Sequence, residues 1–71
     1  RENSVQLLKT LDAYFAFSGN ITEAAKHMYI HRNTYIYRMS KIKLILGNDL
    51  ANPLKMLEYQ VALLALKISG E

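Results

Sequence analysis

The chain contains no cysteine among its 71 residues. It can therefore form neither a disulfide bridge nor a thiolate metal site, and its stability must come from an apolar core or a partner surface. Long apolar runs are also missing, because the longest, residues 61–66, is far shorter than the roughly 20 residues that cross a bilayer. These absences leave a single small domain over residues 1–71, near the lower size limit for one self-sufficient core.

The chain begins at Arg1 with an amphipathic segment, without an initiator methionine and without the apolar stretch of a signal peptide. We therefore expect the C-terminal domain of a longer protein. The absence of cysteine fits a reducing compartment, and we expect a cytoplasmic location.

The spacing of apolar residues predicts an all-α domain of four helices and requires no strand. The predicted helices cover residues 4–17, 21–28, 32–46 and 53–68. In the first helix the expected inward residues are Leu7, Leu8, Leu11, Tyr14 and Phe15. In the third they are Tyr35, Met39, Ile42 and Leu46, which recur at helical spacing.

Capping residues mark the ends of these helices. Asn20 is a good N-cap, and Glu23, three residues later, completes a capping-box pattern. Gly19 ends the first helix because glycine adopts the left-handed conformation without steric cost. Residues 48–52 are expected to form a loop. The other expected N-caps are Asn3 and Asn52, the latter followed by Pro53 at the first helical position.

The fourth helix has more apolar residues than one face can use. One stripe contains Leu54, Leu57, Val61, Leu64 and Ile68, while Met56, Tyr59, Leu63 and Leu66 lie on other sides. Such a helix must bury more than one side, against the first helix or against a second copy of the chain. The pattern therefore predicts a homodimer through residues 53–68 as one of two alternatives.

Positive charge is concentrated in the middle of the chain, whose formal net charge is +3. No acidic residue occurs between Glu23 and Asp49, whereas this segment holds Lys26, Arg32, Arg38, Lys41 and Lys43. A cationic segment without acidic residues indicates a polyanion as its partner.

The second and third predicted helices, joined by a tight turn at residues 29–30, have the form of a DNA-reading helix-turn-helix. The small pair Ala24 and Ala25 allows close helix approach, and Ile30 fills the corner of the turn. The residues expected to face double-stranded DNA are Thr22, His31, Arg32, Asn33, Thr34, Ile36, Tyr37, Arg38, Ser40, Lys41 and Lys43.

Several of these side chains suit particular groups on DNA. Arg32 can bind guanine or a phosphate, Asn33 can pair with adenine, and Ile36 can contact a thymine methyl. Tyr37 and Arg38 can reach the DNA backbone, although a contact between helices is an equally good alternative for Tyr37.

Other classes of function fit the sequence less well than DNA binding. The hairpin can be mere scaffolding with a solvated basic face. His27 and His31 are four residues apart, but the turn separates them, so we expect no metal site and no cofactor. No nucleophile with a base, phosphate loop or carboxylate pair is evident in the sequence, so we do not expect the chain to be an enzyme.

Two motifs carry a family resemblance: residues 31–34, His-Arg-Asn-Thr, followed by Tyr37 and Arg38, and residues 19–25, Gly-Asn-Ile-Thr-Glu-Ala-Ala. With them the chain resembles the C-terminal helix-turn-helix of PucR-type (PucR/CdaR) transcription regulators. The hairpin is also similar to that of the nucleoid protein Fis.

This resemblance implies sequence-specific DNA binding in a bacterial transcription regulator, with an effector-sensing domain N-terminal to this segment. Tyr29 departs from the pattern, because a small turn residue is usual there; the turn either avoids the left-handed conformation or accepts strain. Tyr35 replaces an aliphatic residue and needs a hydrogen-bond partner if buried. The rival functions are a helical protein-interaction or dimerisation module using residues 53–68 and, less favoured, an RNA-binding domain.

Overall fold

The computed structural model describes residues 4–70, which form four α-helices and a short 3₁₀ helix and include no strand. The helices are α1 (Ser4–Ala16), α2 (Ile21–Met28), α3 (Arg32–Leu46) and α4 (Pro53–Ile68). The predicted all-α fold is confirmed, with α1 one residue shorter than expected. Among the helices of the described part, none is long and apolar enough to cross a membrane.

Side-chain caps begin α2 and α4 as predicted. Asn20 Oδ1 accepts from the backbone N–H of Glu23 at 3.0 Å. Asn52 Oδ1 accepts from the first backbone N–H groups of α4 at 3.0 and 3.2 Å, directly after Pro53 takes the first helical position. The expected N-cap Asn3 lies outside the described residues.

The capping box at α2 is only half formed. The N–H of Asn20 donates to the carbonyl of Phe17 at 2.9 Å, so it does not need the Glu23 carboxylate. That carboxylate instead lies 4.0 Å from the ammonium group of Lys26, one turn further along. The end of α1 therefore supplies the bond that the sequence pattern assigned to Glu23.

The core lies where α1, α2 and α3 meet. Ala24 and Ala25 are 0% and 3% exposed, and because they lack bulk they let the other two helices approach α2 closely. Ile30 packs against the edge of this core, as expected. The predicted inward residues of α3 are buried or partly buried: Tyr35, Met39, Ile42 and Leu46.

The inward face of α1 differs from the prediction at two positions. Leu8 is 41% exposed, so its expected place in the core was wrong. Thr10 is fully buried instead, because its hydroxyl donates to the carbonyl of Gln6 at 2.8 Å and so loses no hydrogen bond on burial. Counting only apolar residues could not identify a threonine as part of the core.

Tyr35 occupies the centre of the core with 1% of its surface exposed. Its hydroxyl has no hydrogen-bond partner within the described residues, so the partner that the sequence called for is not supplied by residues 4–70. Burial raises the pKa of this phenol, and the neighbouring Tyr14 raises it further. The hydroxyl therefore stays neutral at physiological pH.

The connection between α3 and α4 is a 3₁₀ helix, Gly47–Ala51, and the predicted loop at residues 48–52 was wrong. The Tyr59 hydroxyl donates to the Asp49 carboxylate at 2.8 Å, which holds this segment against α4. The same hydrogen bond raises the pKa of Tyr59.

On α4 itself, Met56 and Leu63 are buried, and Lys67 pairs with Asp12 of α1 at 2.9 Å. The helix therefore docks on the rest of the fold with the side opposite its main apolar stripe.

The turn between α2 and α3 accepts the left-handed conformation. Tyr29 has φ 57° and ψ 41°, and its side chain is 95% exposed. Its N–H donates to the Lys26 carbonyl and that of Ile30 to the Ala25 carbonyl, each at 3.1 Å, which together form a Schellman cap. The sequence left open whether this turn avoids the left-handed conformation or accepts strain, and the structure shows the strained, left-handed turn.

Tyr29→Gly is expected to stabilise the fold by about 1 kcal/mol, because glycine adopts positive φ without the steric cost of a Cβ. The exposed ring contributes no packing that would be lost. Urea denaturation of the wild type and the variant measures the difference. Tyr29→Ala is the matched control, since it removes the ring but keeps the strain, and it should leave stability nearly unchanged. An equal gain in both variants would contradict a backbone origin.

Candidate nucleic-acid interface

The second and third helices form the predicted helix-turn-helix, and α3 presents one long side to solvent. Tyr35, Met39 and Ile42 bind this helix to the core. Because an α-helix turns about 100° per residue, the side opposite them contains positions 33, 37, 40 and 44. All four of these residues are exposed. We refer to Asn33, Tyr37, Ser40 and Leu44 as the outer strip of α3.

The structure brings most of the predicted DNA-facing residues together around this strip. Thr34 and Lys41 are half-buried at one edge. The exposed ones are Thr22, His31, Arg32, Asn33, Ile36, Tyr37, Ser40 and Lys43.

Arg38 lies apart from the strip. It is half-buried and lines a cleft with residues of α1 and α2, among them Lys9, Asp12 and His27. Its spacing from Tyr35 places it on the side of α3 that faces α1 rather than on the outer strip. The structure therefore places Arg38 on the α1 side of the edge that holds Thr34 and Lys41.

Cations lie along both edges of the outer strip, and the strip itself is uncharged. Arg32 and Lys43 share one edge with Ile36, and Lys41 is at the other. The ammonium group of Lys41 lies 5.2 Å from the centre of the Tyr37 ring, a cation–π contact that holds both side chains against the helix. Such a surface offers neutral groups in the middle and positive charge on either side.

The beginning of α2 lies along the Arg32 and Lys43 edge. Ile36 and Lys43 line a shallow crevice together with Gly19 and Ile21 from the start of α2. Thr22, the next residue of α2, is exposed and belongs to a helix N-terminus, where backbone N–H groups attract anions. This edge therefore combines two side-chain cations with the positive end of a helix dipole.

His31 caps the N-terminus of α3. Its Nδ1 accepts from the N–H of Asn33 at 3.0 Å. The ring is exposed, so its other nitrogen, Nε2, can reach an outside group. His31 is one of the residues expected to face DNA, and this orientation lets the same ring cap α3 and contact a phosphate.

The Ser40 hydroxyl is oriented by its own helix. It donates to the Tyr37 carbonyl at 2.6 Å, so it retains only acceptor capacity toward an outside molecule. At this position the outer strip can therefore accept a hydrogen bond from a base amino group but not donate one.

His27 packs against an aromatic side chain and does not form part of a ligand site. It is exposed on α2, and its ring lies 5.1 Å from that of Phe17. Within residues 4–70 no cluster of three or more His, Cys, Asp or Glu side chains is positioned to hold a metal ion.

Sequence reasoning missed one member of the outer strip. Leu44 is 85% exposed and continues the strip four residues after Ser40. Extending the outward spacing from residues 33, 37 and 40 would have found it.

The model of the PucR C-terminal helix-turn-helix domain family matches residues 7–65 of the chain. These residues include the whole hairpin and most of α1 and α4. The chain therefore belongs to the PucR C-terminal helix-turn-helix family. It is a DNA-binding domain of the kind found in transcription regulators, and it is not an enzyme.

Several individual proteins that the chain resembles are regulators, which is consistent with this family. The purine catabolism regulatory protein of Bacillus subtilis strain 168 is 38% identical over 63 residues, which are 89% of this chain and 12% of that protein. The proline-responsive transcriptional activator PutR of the same strain is 37% identical over 51 residues, 72% of this chain and 12% of that protein. The carbohydrate diacid regulator of Escherichia coli K12 is 37% identical over 51 residues, 72% of this chain and 13% of that protein.

The chain thus spans about one eighth of the length of these relatives. No solved structure matches it significantly.

His31→Ala is expected to lower the free energy of unfolding by about 1 kcal/mol, because the Asn33 N–H loses its capping acceptor. His31→Asn should restore most of this loss, since asparagine is among the best N-cap residues. Thermal unfolding of the three proteins measures both effects. If the alanine and asparagine variants were equally destabilised, the cap would not be what His31 contributes.

Proposed function

We propose that the chain reads double-stranded DNA in a sequence-specific manner, with α3 in the major groove. The observation that carries this proposal is the arrangement of charge on α3, with cations on both edges of an uncharged outer strip. A helix inserted into the major groove meets base edges along its centre and a phosphate backbone on each side.

The outer strip suits base contacts. Asn33 presents a donor and an acceptor that match adenine, and Ile36, at the edge of the strip, can contact a thymine methyl. Tyr37 is 52% exposed, which favours a DNA contact over the interhelix contact that was its alternative. Arg32, in the first turn of α3, can bind guanine or a phosphate.

The edges suit phosphate contacts. Lys43 and the start of α2 with Thr22 can bind one strand, and Lys41 and Thr34 the other. His31 can add a hydrogen bond from Nε2–H to a phosphate near the start of α3. Arg38 lines the cleft between α3 and α1.

We further propose that this domain is the C-terminal DNA-reading part of a longer, cytoplasmic bacterial regulator with an effector-sensing domain before it. The limited share of each relative that the chain covers supports a longer protein. The names of those relatives concern purine catabolism, proline and carbohydrate diacids, which favours control by a small metabolite. Binding as a homodimer would place two α3 helices about 34 Å apart, one turn of DNA.

The main rival function is a helical protein-interaction module, and the observation that favours it is the apolar surface that α4 exposes. Titration of a labelled random-sequence duplex at low salt separates the two. A DNA-binding domain shifts the duplex through its phosphate contacts, whereas an interaction module leaves it unbound. Single-stranded RNA in the same assay tests the RNA-binding alternative.

Arg32→Ala is expected to weaken binding to the preferred duplex by about 1 to 3 kcal/mol if Arg32 reads a base. The preferred duplex is first selected from a random pool, and affinities are then measured by fluorescence anisotropy. Lys55→Ala is the matched control, because Lys55 is an exposed cation on α4, away from the hairpin. An unchanged preference in the Arg32 variant would remove this residue from the base-reading set.

Lys41→Ala and Lys43→Ala are expected to weaken all duplexes alike and to reduce the slope of log affinity against log salt by about one per variant. The reason is that each phosphate contact releases about one counterion. The measurement is a salt titration with specific and random duplexes, again with Lys55→Ala as the control. An affinity independent of salt would contradict phosphate binding at both edges.

A further inference from the structure

The largest apolar stripe of α4 faces solvent. Leu54, Leu57, Val61, Leu64 and Ile68 are 73%, 56%, 59%, 56% and 78% exposed. The side that docks on the rest of the fold is instead formed by Met56, Tyr59 and Leu63. We call the five exposed residues the α4 seam.

The spacing along the α4 seam is three, four, three and four residues. This is the a and d spacing of a heptad repeat, which keeps one narrow line of apolar side chains on a helix facing a partner helix. A helix that covers a flat apolar surface within its own domain needs a broader stripe. The seam is therefore suited to a second helix with the same spacing.

Within residues 4–70, α4 is the one helix that exposes such a line, since the other helices use their regular apolar positions in the core. A second copy of the chain supplies a matching seam by two-fold symmetry. Burying five such side chains from each copy removes on the order of 1,000 Å² from water, which is the threshold for a biological interface and fits a weak, reversible dimer.

Charges beside the seam do not oppose pairing. Glu58 lies 3.5 Å from Lys55 on the same helix, and Lys67 pairs with Asp12. Glu58 and Lys67, the ionic side chains that flank the seam, thus each have an oppositely charged partner within one copy. Two identical edges can meet without unpaired like charges.

The length of α4 also permits this pairing. An isolated helix of 16 residues is marginal in water, but α4 is already held by the Asn52 cap and by its contacts with α1 and the 3₁₀ helix. Pairing therefore does not have to supply the free energy of helix formation.

We propose that the α4 seam is a self-association surface, and that two copies of the chain pair through it as a short two-stranded coiled coil. The inference deepens the homodimeric DNA binding proposed above, because it names the surface through which the dimer forms. Leu54, Leu57, Val61, Leu64 and Ile68 of each copy interlock, while each α3 keeps its outer strip open to DNA.

Sedimentation equilibrium without DNA tests this surface, over concentrations from about 10 µM to about 1 mM, where a short coil of micromolar affinity changes its state. The wild type is expected to pass from monomer to dimer. Val61→Glu and Leu57→Glu should each weaken dimerisation at least 100-fold, because the dimer would bury the same negative charge from both copies at the interface. Their side chains are more than half exposed in one chain, so circular dichroism should show an unchanged helix content.

Leu44→Glu is the matched control, because it places the same charge at a more exposed leucine outside the seam, and it should dimerise like the wild type. Val61→Leu should also dimerise, since it keeps the seam apolar. The proposal would be overturned if the wild type stayed monomeric over the whole concentration range, or if the glutamate variants dimerised normally. The seam would then contact something other than a second copy of the chain.

A DNA titration of the wild type and the α4 seam variants, which leave the outer strip unchanged, separates this proposal from the proposed function. If the protein forms dimers that bind no duplex, the proposed DNA binding is refuted and dimerisation through the α4 seam still holds. If it stays monomeric and binds a single half-site, dimerisation through the seam is refuted and DNA binding still holds.

Discussion

The close approach of three helices at Ala24 and Ala25 is the constraint on which the rest of the structure depends. Both residues are almost completely buried, and any larger side chain there would push α1 or α3 away. Because α3 is seated against this point by Tyr35 and Met39, its rotation about its own axis is determined. That rotation decides which residues form the outer strip, so the surface proposed to read DNA follows from two methyl groups in the core.

Strain and stabilisation are both present next to that surface. The left-handed Tyr29 completes the Schellman cap that ends α2, and the His31 ring begins α3 two residues later. Two helix ends are thus closed within three residues, which fixes the angle between them. The same short segment leaves the His31 Nε2 and the first turn of α3 exposed, where a phosphate would meet them.

The fourth helix is docked on one side and exposed on the other. Its inner side is held by the Tyr59–Asp49 hydrogen bond and the Lys67–Asp12 ion pair, while its apolar seam remains exposed. A domain of this size has little apolar surface to spare, so leaving five large side chains in water would be costly unless they were covered in the working protein.

Much of this protein was determined by sequence alone. Spacing and caps predicted four helices with nearly the observed bounds, because such signals act within a few residues of each other. The hairpin, its inward residues and most of the proposed DNA-facing set follow from the same local rules.

Tertiary structure decided what depends on neighbours distant in the chain. It turned Arg38 toward α1, buried Thr10 in place of Leu8, and exposed the regular stripe of α4 instead of its scattered apolar residues. Helical periodicity identifies a face, but packing against the other helices determines whether that face is covered, and that information lies outside any single helix.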